Sequence, residues 1–438
     1  MKRRLLVPLK VILFVSAISV SHAGWDLLPD SPVAPYRHDD IFFLNPRLGW
    51  ITNGDGEVHR TTDGGEMWMQ QTTIGAYGRC IGFADSLNGW VGTLGGLSGA
   101  FLVTSDGGFT WKGVTDFSGP PPESVCGISV VNDSVVYAAG AYHGVPRVLK
   151  TTDRGTNWVS FGLDSLAAGL VDCYFFTPDS GIVVGSTGVG ASYGRALILF
   201  TSDGGNSWQT KFLGSRDGEL CWKISFPSAT VGYISIEDFT APSPVYFLRT
   251  TDRGATWSEK VFLNSHFDEQ GIGFATETLG WIGGWGGPTY TTTDGGDTWA
   301  QTGPGTFVNR FRFLGDSLGY CVGSRAFKYY PDSTSTGIEP AEEPIVLKYK
   351  LYQNFPNPFN PTTTIRFSLP DLAYVRLSIV DLLGREVAVI ADDVRSAGDH
   401  IVVWDGRNSS GVDVSSGVYV YRMTTAEQTL SRKLMLLR

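Results

Sequence analysis

The segment T-S-D-G-G-N-S-W at residues 201–208 is one of six copies of a pattern, T-[TS]-D-[GR]-G-x-x-W, that recurs along the 438-residue chain. Successive copies lie 42 to 50 residues apart, counted between their aspartates. A period of this length is typical of an architecture in which each repeat is one small supersecondary unit. We call the copies turn boxes, and their aspartates and tryptophans are Asp63 and Trp68, Asp106 and Trp111, Asp153 and Trp158, Asp203 and Trp208, Asp252 and Trp257, and Asp294 and Trp299.

A second pattern runs in phase with the turn boxes. An apolar residue is followed six positions later, in most copies, by a glycine and then by an aromatic residue. This pattern occurs seven times, so it predicts seven units although six carry a complete turn box. The seven copies are Phe43/Gly49/Trp50, Phe83/Gly89/Trp90, Val130/Val136/Tyr137, Phe175/Gly181/Ile182, Phe226/Gly232/Tyr233, Phe274/Gly280/Trp281 and Phe313/Gly319/Tyr320.

Each unit is predicted to hold four short strands. The first ends near the apolar residue, the second starts at the glycine–aromatic pair, the third runs into the turn box, and the fourth begins at the box tryptophan. Four strands in about 40 to 50 residues is the spacing of a propeller blade, and no stretch of the sequence has helical periodicity. We therefore predict an all-β chain in which residues 24–332 form a seven-bladed β-propeller.

The two ends of this region complement each other. The seventh unit reaches Tyr330-Pro331-Asp332 but has no Gly-Gly or tryptophan after it. Residues 24–28, G-W-D-L-L, read as a fourth strand without the three that should precede it. Because an unpaired edge strand invites association with other chains, we predict that Trp25–Leu28 lies beside Ala326–Tyr330 and completes the seventh blade.

The residue types of the turn box suit a tight bend. The aspartate can accept hydrogen bonds from following backbone N–H groups, the glycine permits positive φ, and the tryptophan packs between sheets. The boxes resemble the Asp-box, or bacterial neuraminidase repeat, of sialidases, sortilin-type receptors and propeller glycosidases. Together with the second pattern, over residues 24 to about 332, they resemble most the photosystem II assembly factor family. We interpret the box residues as structural.

The composition changes after the propeller region. Residues 333–347 are polar and contain proline, which indicates a linker, and residues 348–438 show the alternation of a small immunoglobulin-like β-sandwich. The segments Y-Q-N-F-P-N-P-F-N-P at 352–361, L-L-G-R-E-V at 382–387, S-G-V-Y-V-Y at 416–421 and K-L-M-L-L-R at 433–438 resemble the C-terminal sorting domain of the bacterial type IX secretion system. The resemblance implies export across the outer membrane by the type IX machinery, followed in that family by cleavage of the tail and attachment to surface polysaccharide. An ordinary adhesion module is the alternative.

The N-terminal residues are typical of an export signal. Lys2, Arg3 and Arg4 precede an apolar run at residues 11–20, and small residues lead up to Ala23. We predict a signal peptide over residues 1–23, since the apolar run is too short to cross a bilayer. No membrane span is expected in the mature chain, and the predicted location is extracellular or on the outer-membrane surface of a bacterium.

Composition excludes several classes of function. A formal net charge of -9 argues against a nucleic-acid partner. The five cysteines lie in apolar, strand-like sequence and are predicted to be buried thiols. No C-x-x-C or H-E-x-x-H motif is present, so neither a metal site nor a cofactor is predicted.

A hydrolase is the alternative to a binding function. A sialidase would need an arginine cluster, and Arg79, Arg310 and Arg312 fall near the starts of inner strands, but its F-R-I-P motif is missing. A propeller glycosidase would need two carboxylates about 5 to 9.5 Å apart. No spacing rule selects such a pair, so no catalytic residue is assigned, and the carboxylates available are Asp39, Asp40, Asp172, Glu219, Asp268 and Glu269.

Repeat length indicates where a ligand would bind. The apolar residue precedes the box aspartate by 20 residues in units one and six, but by 23 to 28 residues in units two to five. The extra length lies between the second and third strands, on the face opposite the turn boxes, and predicts a raised rim from residues 95–99, 142–146, 188–195 and 237–244. Ordinary variable loops are the alternative. Since aromatic and arginine side chains dominate binding energetics, the candidate rim residues are Tyr142, Tyr193, Arg195, Trp222, Phe239 and Trp285, with Arg79 and Arg310.

Two functional classes therefore stay open. We predict a non-catalytic scaffold that binds an unknown protein or glycan ligand, and keep a secreted glycoside hydrolase as the alternative.

Overall fold

The computed structural model describes residues 24–331, apart from 35–36, 97–98, 143, 189–193 and 241–243, and residues 349–437, apart from 352–353, 355–356, 358, 370–372, 382, 396–397 and 427. The predicted signal peptide and linker lie outside these residues. The chain divides into two compact units, one built mainly from the repeats and one that contains the C-terminal strands. No helix of the described residues is long and apolar enough to pass through a bilayer.

Seven sheets form between residues 24 and 330, and we number them blades 1 to 7. The strands of blade 1 are β2 (His38–Phe43), β3 (Gly49–Asn53), β4 (Glu57–Thr61) and β5 (Met69–Thr73), and those of blade 2 are β6 (Ala76–Phe83), β7 (Gly89–Gly96), β8 (Phe101–Thr104) and β9 (Lys112–Gly113). Blade 3 holds β10 (Gly127–Val130), β11 (Val136–Gly140), β12 (Arg147–Thr151) and β13 (Val159–Gly162), and blade 4 holds β14 (Gly169–Phe175), β15 (Gly181–Ser186), β16 (Ala196–Thr201) and β17 (Gln209–Leu213). Blade 5 holds β18 (Glu219–Ser225), β19 (Gly232–Asp238), β20 (Val245–Thr250) and β21 (Ser258–Leu263). Blade 6 holds β22 (Glu269–Phe274), β23 (Gly280–Gly284) and β24 (Tyr290–Thr292), and blade 7 holds β25 (Arg310–Phe313), β26 (Gly319–Val322), β27 (Ala326–Tyr330) and β1 (Gly24–Leu27).

The first strands of the blades form a ring. Each of β2, β6, β10, β14, β18, β22 and β25 contacts the next, and β25 contacts β2 in turn. Strands follow one another antiparallel from the ring outward, so each blade is a meander. The predicted strand positions are confirmed, since six of the second strands start at the glycine of the second pattern and third strands end at the box threonine.

Blade 6 differs from the prediction. It has a complete turn box, yet its fourth strand is reduced to a single antiparallel bridge between Thr291 and Ala300. Gly303-Pro304-Gly305 follows within a few residues of the box tryptophan. Proline lacks the N–H that a ladder needs and glycine disfavours extended pairing, so the outer strand cannot be extended here.

The second pattern is explained by packing between neighbouring blades. The aromatic residue of one blade stacks on the phenylalanine of the next, as for Tyr137 on Phe175, whose ring centroids are 3.4 Å apart, and Tyr320 on Phe43 at 3.5 Å, across the junction of blades 7 and 1. The other face of the same phenylalanine covers the glycine of its own blade. A Cβ added to Gly181 would meet the Phe175 ring at 2.3 Å. The glycine is therefore required because the ring occupies the space of its side chain.

The turn boxes form the predicted bends. In the box of blade 4, Asp203 Oδ1 accepts hydrogen bonds from the Ser207 N–H and the Thr201 hydroxyl, both at 2.9 Å. The Thr201 hydroxyl oxygen accepts the Gly205 N–H at 2.9 Å, and the Trp208 indole N–H donates to the Gly205 carbonyl at 3.0 Å. Every one of the six box aspartates accepts the N–H four residues later. These bonds lie within each box, which agrees with a structural role.

These hydrogen bonds make the stability of the propeller depend on pH in the acidic range. Hydrogen bonds from the Ser207 hydroxyl and N–H lower the pKa of Asp203 to about 2. A depressed folded-state pKa stabilises the fold above the unfolded value of about 3.9, and the contribution is lost as pH falls through the folded value. We expect Asp203→Asn to lower the Tm at pH 7, and the gap from the unmodified protein to close between about pH 4 and pH 2. Asp217→Asn, at an exposed position, is the control, and a gap that stays constant over this range would contradict the assignment.

The predicted closure of the ring is confirmed. Strand β1 pairs antiparallel with β27, with Gly24 opposite Tyr330 and Leu27 opposite Phe327. Trp25 packs against an aromatic cluster of blades 6 and 7, with its ring centroid 5.2 Å from that of Trp281 and 5.4 Å from that of Tyr329. The N-terminal strand of the described residues thus belongs to the last blade.

The C-terminal unit is a small sandwich of two sheets. One consists of β28 (Lys350–Leu351), β29 (Thr363–Leu369) and β32 (Gly398–Trp404), and the other of β30 (Ala373–Val380), β31 (Glu386–Arg395), β33 (Gly417–Thr424) and β34 (Thr429–Leu436). Its core contains Phe359, Ile365, Leu377, Trp404 and Tyr421. Five residues of the predicted 352–361 motif lie outside the described residues, and in the remainder Asn354 donates to the hydroxyl of Thr363 at 2.9 Å.

Candidate functional site

A cavity of about 430 Å³ opens where the first strands begin and the second strands end. This is the face that carries the loops between second and third strands, and we call it the loop face. Five of the eight candidate rim residues lie in the cavity wall, contributed by blades 2, 3, 5 and 6. The complete wall consists of Arg37, Tyr77, Arg79, Leu94, Tyr142, Trp222, Glu237, Phe239, Asp268, Gln270 and Trp285.

Of the other three candidates, the structure describes two, and it places both away from the cavity wall. Tyr193 is outside the described residues, and Arg195 is exposed but does not line the cavity. Arg310 is not a rim residue, because its side chain is 2% exposed and its guanidinium is occupied by carboxylates. It donates to Asp172 through two nitrogens, at 2.8 and 3.1 Å, and lies 3.1 Å from Asp40. The expectation that Arg310 contacts a ligand at the rim is therefore corrected.

Irregularities in the first strands direct side chains into the cavity. In β6 the register shifts between Gly78 and Cys80, which leaves Arg79 as an extra residue. In β18 the shift between Cys221 and Ile224 contains Trp222. In β22 a third shift, between Glu269 and Ile272, contains Gln270. A bulge breaks the alternation of a strand and re-aims a side chain, so these bulges bring three residues of different chemistry to one wall.

Two arginines share one buried carboxylate beneath the aromatic rings. Asp39 accepts from Arg79 at 2.5 Å and pairs with Arg37 at 3.1 Å. The Arg37 guanidinium lies 4.7 Å from the centre of the Trp285 ring, and the Arg79 guanidinium lies 4.7 Å from that of Trp222. Cation–π contact and ion pairing together hold both indoles in fixed positions.

The rings differ in their exposure to solvent. Trp285 and Phe239 are 43% and 42% exposed, whereas Trp222 is 2% exposed and donates its indole N–H to Asn309 at 2.7 Å. Tyr142 meets Trp222 edge-on, with centroids 5.8 Å apart. The cavity therefore has an exposed aromatic mouth above a buried polar floor.

Two carboxyl groups line the cavity in contrasting environments. Glu237 is 6% exposed and accepts the Gln270 side-chain N–H at 2.9 Å, while Gln270 in turn accepts a hydrogen bond from Arg37. Burial raises the pKa of Glu237 to about 7. Asp268 is close to half exposed and pairs with His266 at 3.2 Å. One group is thus held between its two protonation states near neutral pH while the other is in contact with water.

Most of the other carboxylates considered for a hydrolase are buried, and several of them form ion pairs with arginines. Asp39, Asp40 and Asp172 are buried ion-pair partners of arginines, and Arg312 lies 3.2 Å from Asp40. Glu219 pairs with Arg216 at 2.5 Å, and burial raises the pKa of Glu269 well above its usual value. Of the six carboxylates considered from the sequence, Asp268 is the one in the cavity wall. Arg79, Arg310 and Arg312 do not converge on this cavity, because Arg79 alone of them lines it.

The five cysteines are buried free thiols, which confirms their predicted place in the core. Burial raises the pKa of Cys80, Cys173, Cys221 and Cys321, so these thiols are poor nucleophiles. Within the described residues, no group of three or more His, Cys, Asp or Glu side chains is placed to hold a metal ion.

Sequence reasoning did not single out Arg37, Tyr77, Leu94 and Gln270 as wall residues, and it named Glu237 as the start of a rim segment without a role of its own. Loop length carries no signal for Arg37, Tyr77, Leu94 and Gln270, because they lie in or beside strands. The bulge of β22 has one weak signal in the sequence, Gly271. A Cβ added at this position would meet the Val308 carbonyl oxygen at 2.5 Å, so the bulge requires glycine here.

Comparison with known proteins finds similar folds for both parts of the chain. A family model described as FlgD Ig-like domain matches residues 359–429, and no curated protein is similar enough to count as a match. Among solved structures, YCF48 from Cyanidioschyzon merolae is 18% identical with a TM-score of 0.54, over 70% of this chain and 99% of that one. A structure of YCF48 bound to D1 peptide is 18% identical with a TM-score of 0.52, over 72% and 98%. The GH74 xyloglucanase from Xanthomonas campestris is 12% identical with a TM-score of 0.51, over 94% and 68%.

These likenesses show the fold alone, since all three identities are below 20%. They confirm the prediction of an all-β chain with a propeller, and the family model confirms an immunoglobulin-like C-terminal domain.

Proposed function

We propose that this chain is an exported, non-catalytic β-propeller that binds an exposed segment of a partner protein in the cavity of the loop face. The observation that carries the proposal is the arrangement of the wall, in which exposed aromatic rings stand over arginines already paired with Asp39. Such a wall is fixed before any ligand arrives, so little ordering entropy is lost on binding. Aromatic and arginine side chains are also the types that dominate binding energetics.

A peptide segment suits this cavity better than a small compact ligand does. The mouth is formed by two large exposed rings from different blades, Phe239 and Trp285. The floor offers both hydrogen-bond donors and acceptors, in Arg79, Glu237 and Gln270. A peptide has apolar side chains for the mouth and backbone N–H and C=O groups for the floor. The structure of YCF48 with a D1 peptide supports this class of ligand, because that protein has a similar fold.

The test is a screen of the full mature chain against peptide arrays and glycan arrays, followed by binding measurements on the hits. The double variant Trp285→Ala with Phe239→Ala is expected to weaken binding of a genuine peptide ligand at least about 10-fold, because two exposed anchors are lost. The control is Phe109→Ala, which removes an equally exposed ring, 42% exposed, from a turn box. Unchanged affinity of the double variant would exclude the mouth of the cavity as the binding site.

Delivery to the cell surface belongs to the same proposal. A signal-like N-terminus and a two-sheet C-terminal unit with the sorting-domain segments support export by the type IX machinery, with residues 348–438 as the recognised part. Fused to a periplasmic reporter in a bacterium with type IX secretion, residues 348–438 are expected to carry the reporter to the surface. A reporter that stays in the periplasm would contradict this route.

A secreted glycoside hydrolase is the second candidate. It is favoured by Glu237 and Asp268, two carboxyl groups in one cavity, since burial raises the pKa of Glu237 to about 7 while Asp268 is in contact with water. The glycan arm of the same screen separates the two functions. Hydrolysis of a glycan that Glu237→Gln abolishes would establish the hydrolase and contradict the proposal of a non-catalytic scaffold.

A further inference from the structure

Beneath the cavity floor, the first strands of five blades enclose a cluster of buried charges. Asp39 and Asp40 come from β2, Arg79 from β6 and Asp172 from β14, and the others are Lys223 from β18 with Arg310 and Arg312 from β25. All of these side chains except Arg312 are 3% exposed or less. Such groups are removed from water and must satisfy one another.

The ion pairs of this cluster leave positive charge in excess. The three guanidinium groups of the cluster, of Arg79, Arg310 and Arg312, are matched by the three carboxylates of Asp39, Asp40 and Asp172. A protonated Lys223 is therefore the surplus positive charge. An uncompensated charge in a medium of low dielectric is costly, so the cluster favours a negative partner.

Lys223 has no partner of its own. It is fully buried, and its Nζ has no hydrogen-bond acceptor among the residues described for this chain. The neighbouring residue Ile224 donates its N–H to Asp172 at 3.2 Å, which fixes the strand against the charged cluster. The charges that act on the lysine are those of Arg310, Asp172, Arg79 and Asp40. The ammonium group therefore lies within the ring of charges while its three donors remain unused.

We propose that the centre of the ring binds one small inorganic anion, of the size of chloride, against Lys223 Nζ, where the positive charges of Arg310 and Arg79 also act. The anion supplies the acceptor that Nζ lacks and cancels the surplus charge of the cluster. A water molecule could accept a hydrogen bond from Nζ but would not neutralise the surplus positive charge, whereas an anion would do both. The site is independent of the function proposed for the cavity above it.

Burial, with the positive charge of Arg310 as the next contribution, lowers the pKa of Lys223 to about 7. The bare site therefore holds its lysine partly neutral near physiological pH. An anion adjacent to Nζ favours the charged form, so occupancy and protonation of Lys223 stabilise each other.

The first test is crystallographic. Crystals of the mature chain in sodium bromide are expected to show an anomalous peak within about 3.5 Å of Lys223 Nζ, the reach of a hydrogen bond to a halide. Density at that point without anomalous signal means water and overturns the proposal, as does a signal confined to the protein surface.

The second test is made in solution. At fixed pH and ionic strength, replacing sodium gluconate by sodium bromide should raise the Tm of the unmodified protein by about 2 °C or more, because a ligand that binds the folded state alone stabilises it. Lys223→Met should abolish the difference, and Lys260→Met, which removes an exposed lysine paired with Asp297, should keep it. Coincident melts of the unmodified protein in the two salts would also overturn the proposal, whether or not the Lys223 variant folds.

Discussion

A chain that begins at residue 31 is expected to melt about 10 °C or more below one that begins at residue 24, or to fail to fold. The missing residues remove strand β1, which leaves β27 as an unpaired edge, and they remove Trp25 from its aromatic cluster. Loss of one large packed aromatic side chain alone costs about 3 to 5 kcal/mol, and each kcal/mol corresponds to about 2 to 4 °C in a domain of this size. Thermal unfolding by circular dichroism, with light scattering for aggregation at the exposed edge, measures both effects.

Two point variants within the same strand separate packing from strand pairing. Trp25→Ala should reproduce much of the loss, because the indole contacts Trp281 and Tyr329. Leu27→Ala should change the Tm little, because that side chain is 47% exposed. A shortened chain that melts at the same temperature as the complete one would mean that the ring is stable without its N-terminal strand.

Arg310→Met is expected to destabilise the propeller by about 3 to 5 kcal/mol, since it leaves the buried carboxylate of Asp172 without its guanidinium partner and removes one of the two arginines beside Asp40. Burial opposes ionisation of Asp172, but the positive charges of Arg310, Lys223 and Arg312 and the hydrogen bond from Arg310 together outweigh it and lower the pKa of that carboxyl. Without Arg310 the carboxyl must take up a proton or remain as an unpaired charge. Urea unfolding at pH 7 measures the loss.

The comparison is with an exposed ion pair of the same protein. Lys260→Met breaks the pair with Asp297, whose side chain is 58% exposed, and should cost less than about 1 kcal/mol. Adding Asp172→Asn to Arg310→Met should recover part of the loss, because it removes a charge that the first change stranded. Equal losses for Arg310→Met and Lys260→Met, or no recovery in the double variant, would show that the buried network does not stabilise the ring.

The fold could be predicted because its signals are local. The bend at Asp203 is built from hydrogen bonds that span four residues, so its sequence pattern is short and repeats. The spacing of Phe175 and Gly181 is also local, since the ring lies over the glycine of its own hairpin. The pairing of β1 with β27 could also be predicted, because the seventh repeat lacks a fourth strand and the N-terminal segment reads as a fourth strand without the preceding three.

The site could be predicted only where it depends on loops. Tyr142 and Phe239 lie in connections whose extra length is visible in the repeat spacing, and they do reach the cavity. The direction of Arg79 depends on a bulge, and that of Arg310 on a carboxylate 138 residues away in the sequence. Arg79 and Arg310 occupy similar positions in their repeats, so their sequence context does not indicate which of the two lines the cavity.

Pairing of β1 with β27 also acts as a check on completeness. The contact joins residues 24 and 330, so it cannot form until almost the entire repeat region has been synthesised. The entropy of closing so long a loop exceeds that of closing a single repeat by only about 2 kcal/mol, because the dependence on length is logarithmic. A chain that ends before residue 326 would therefore leave the backbone N–H and C=O groups of β1 without a partner strand.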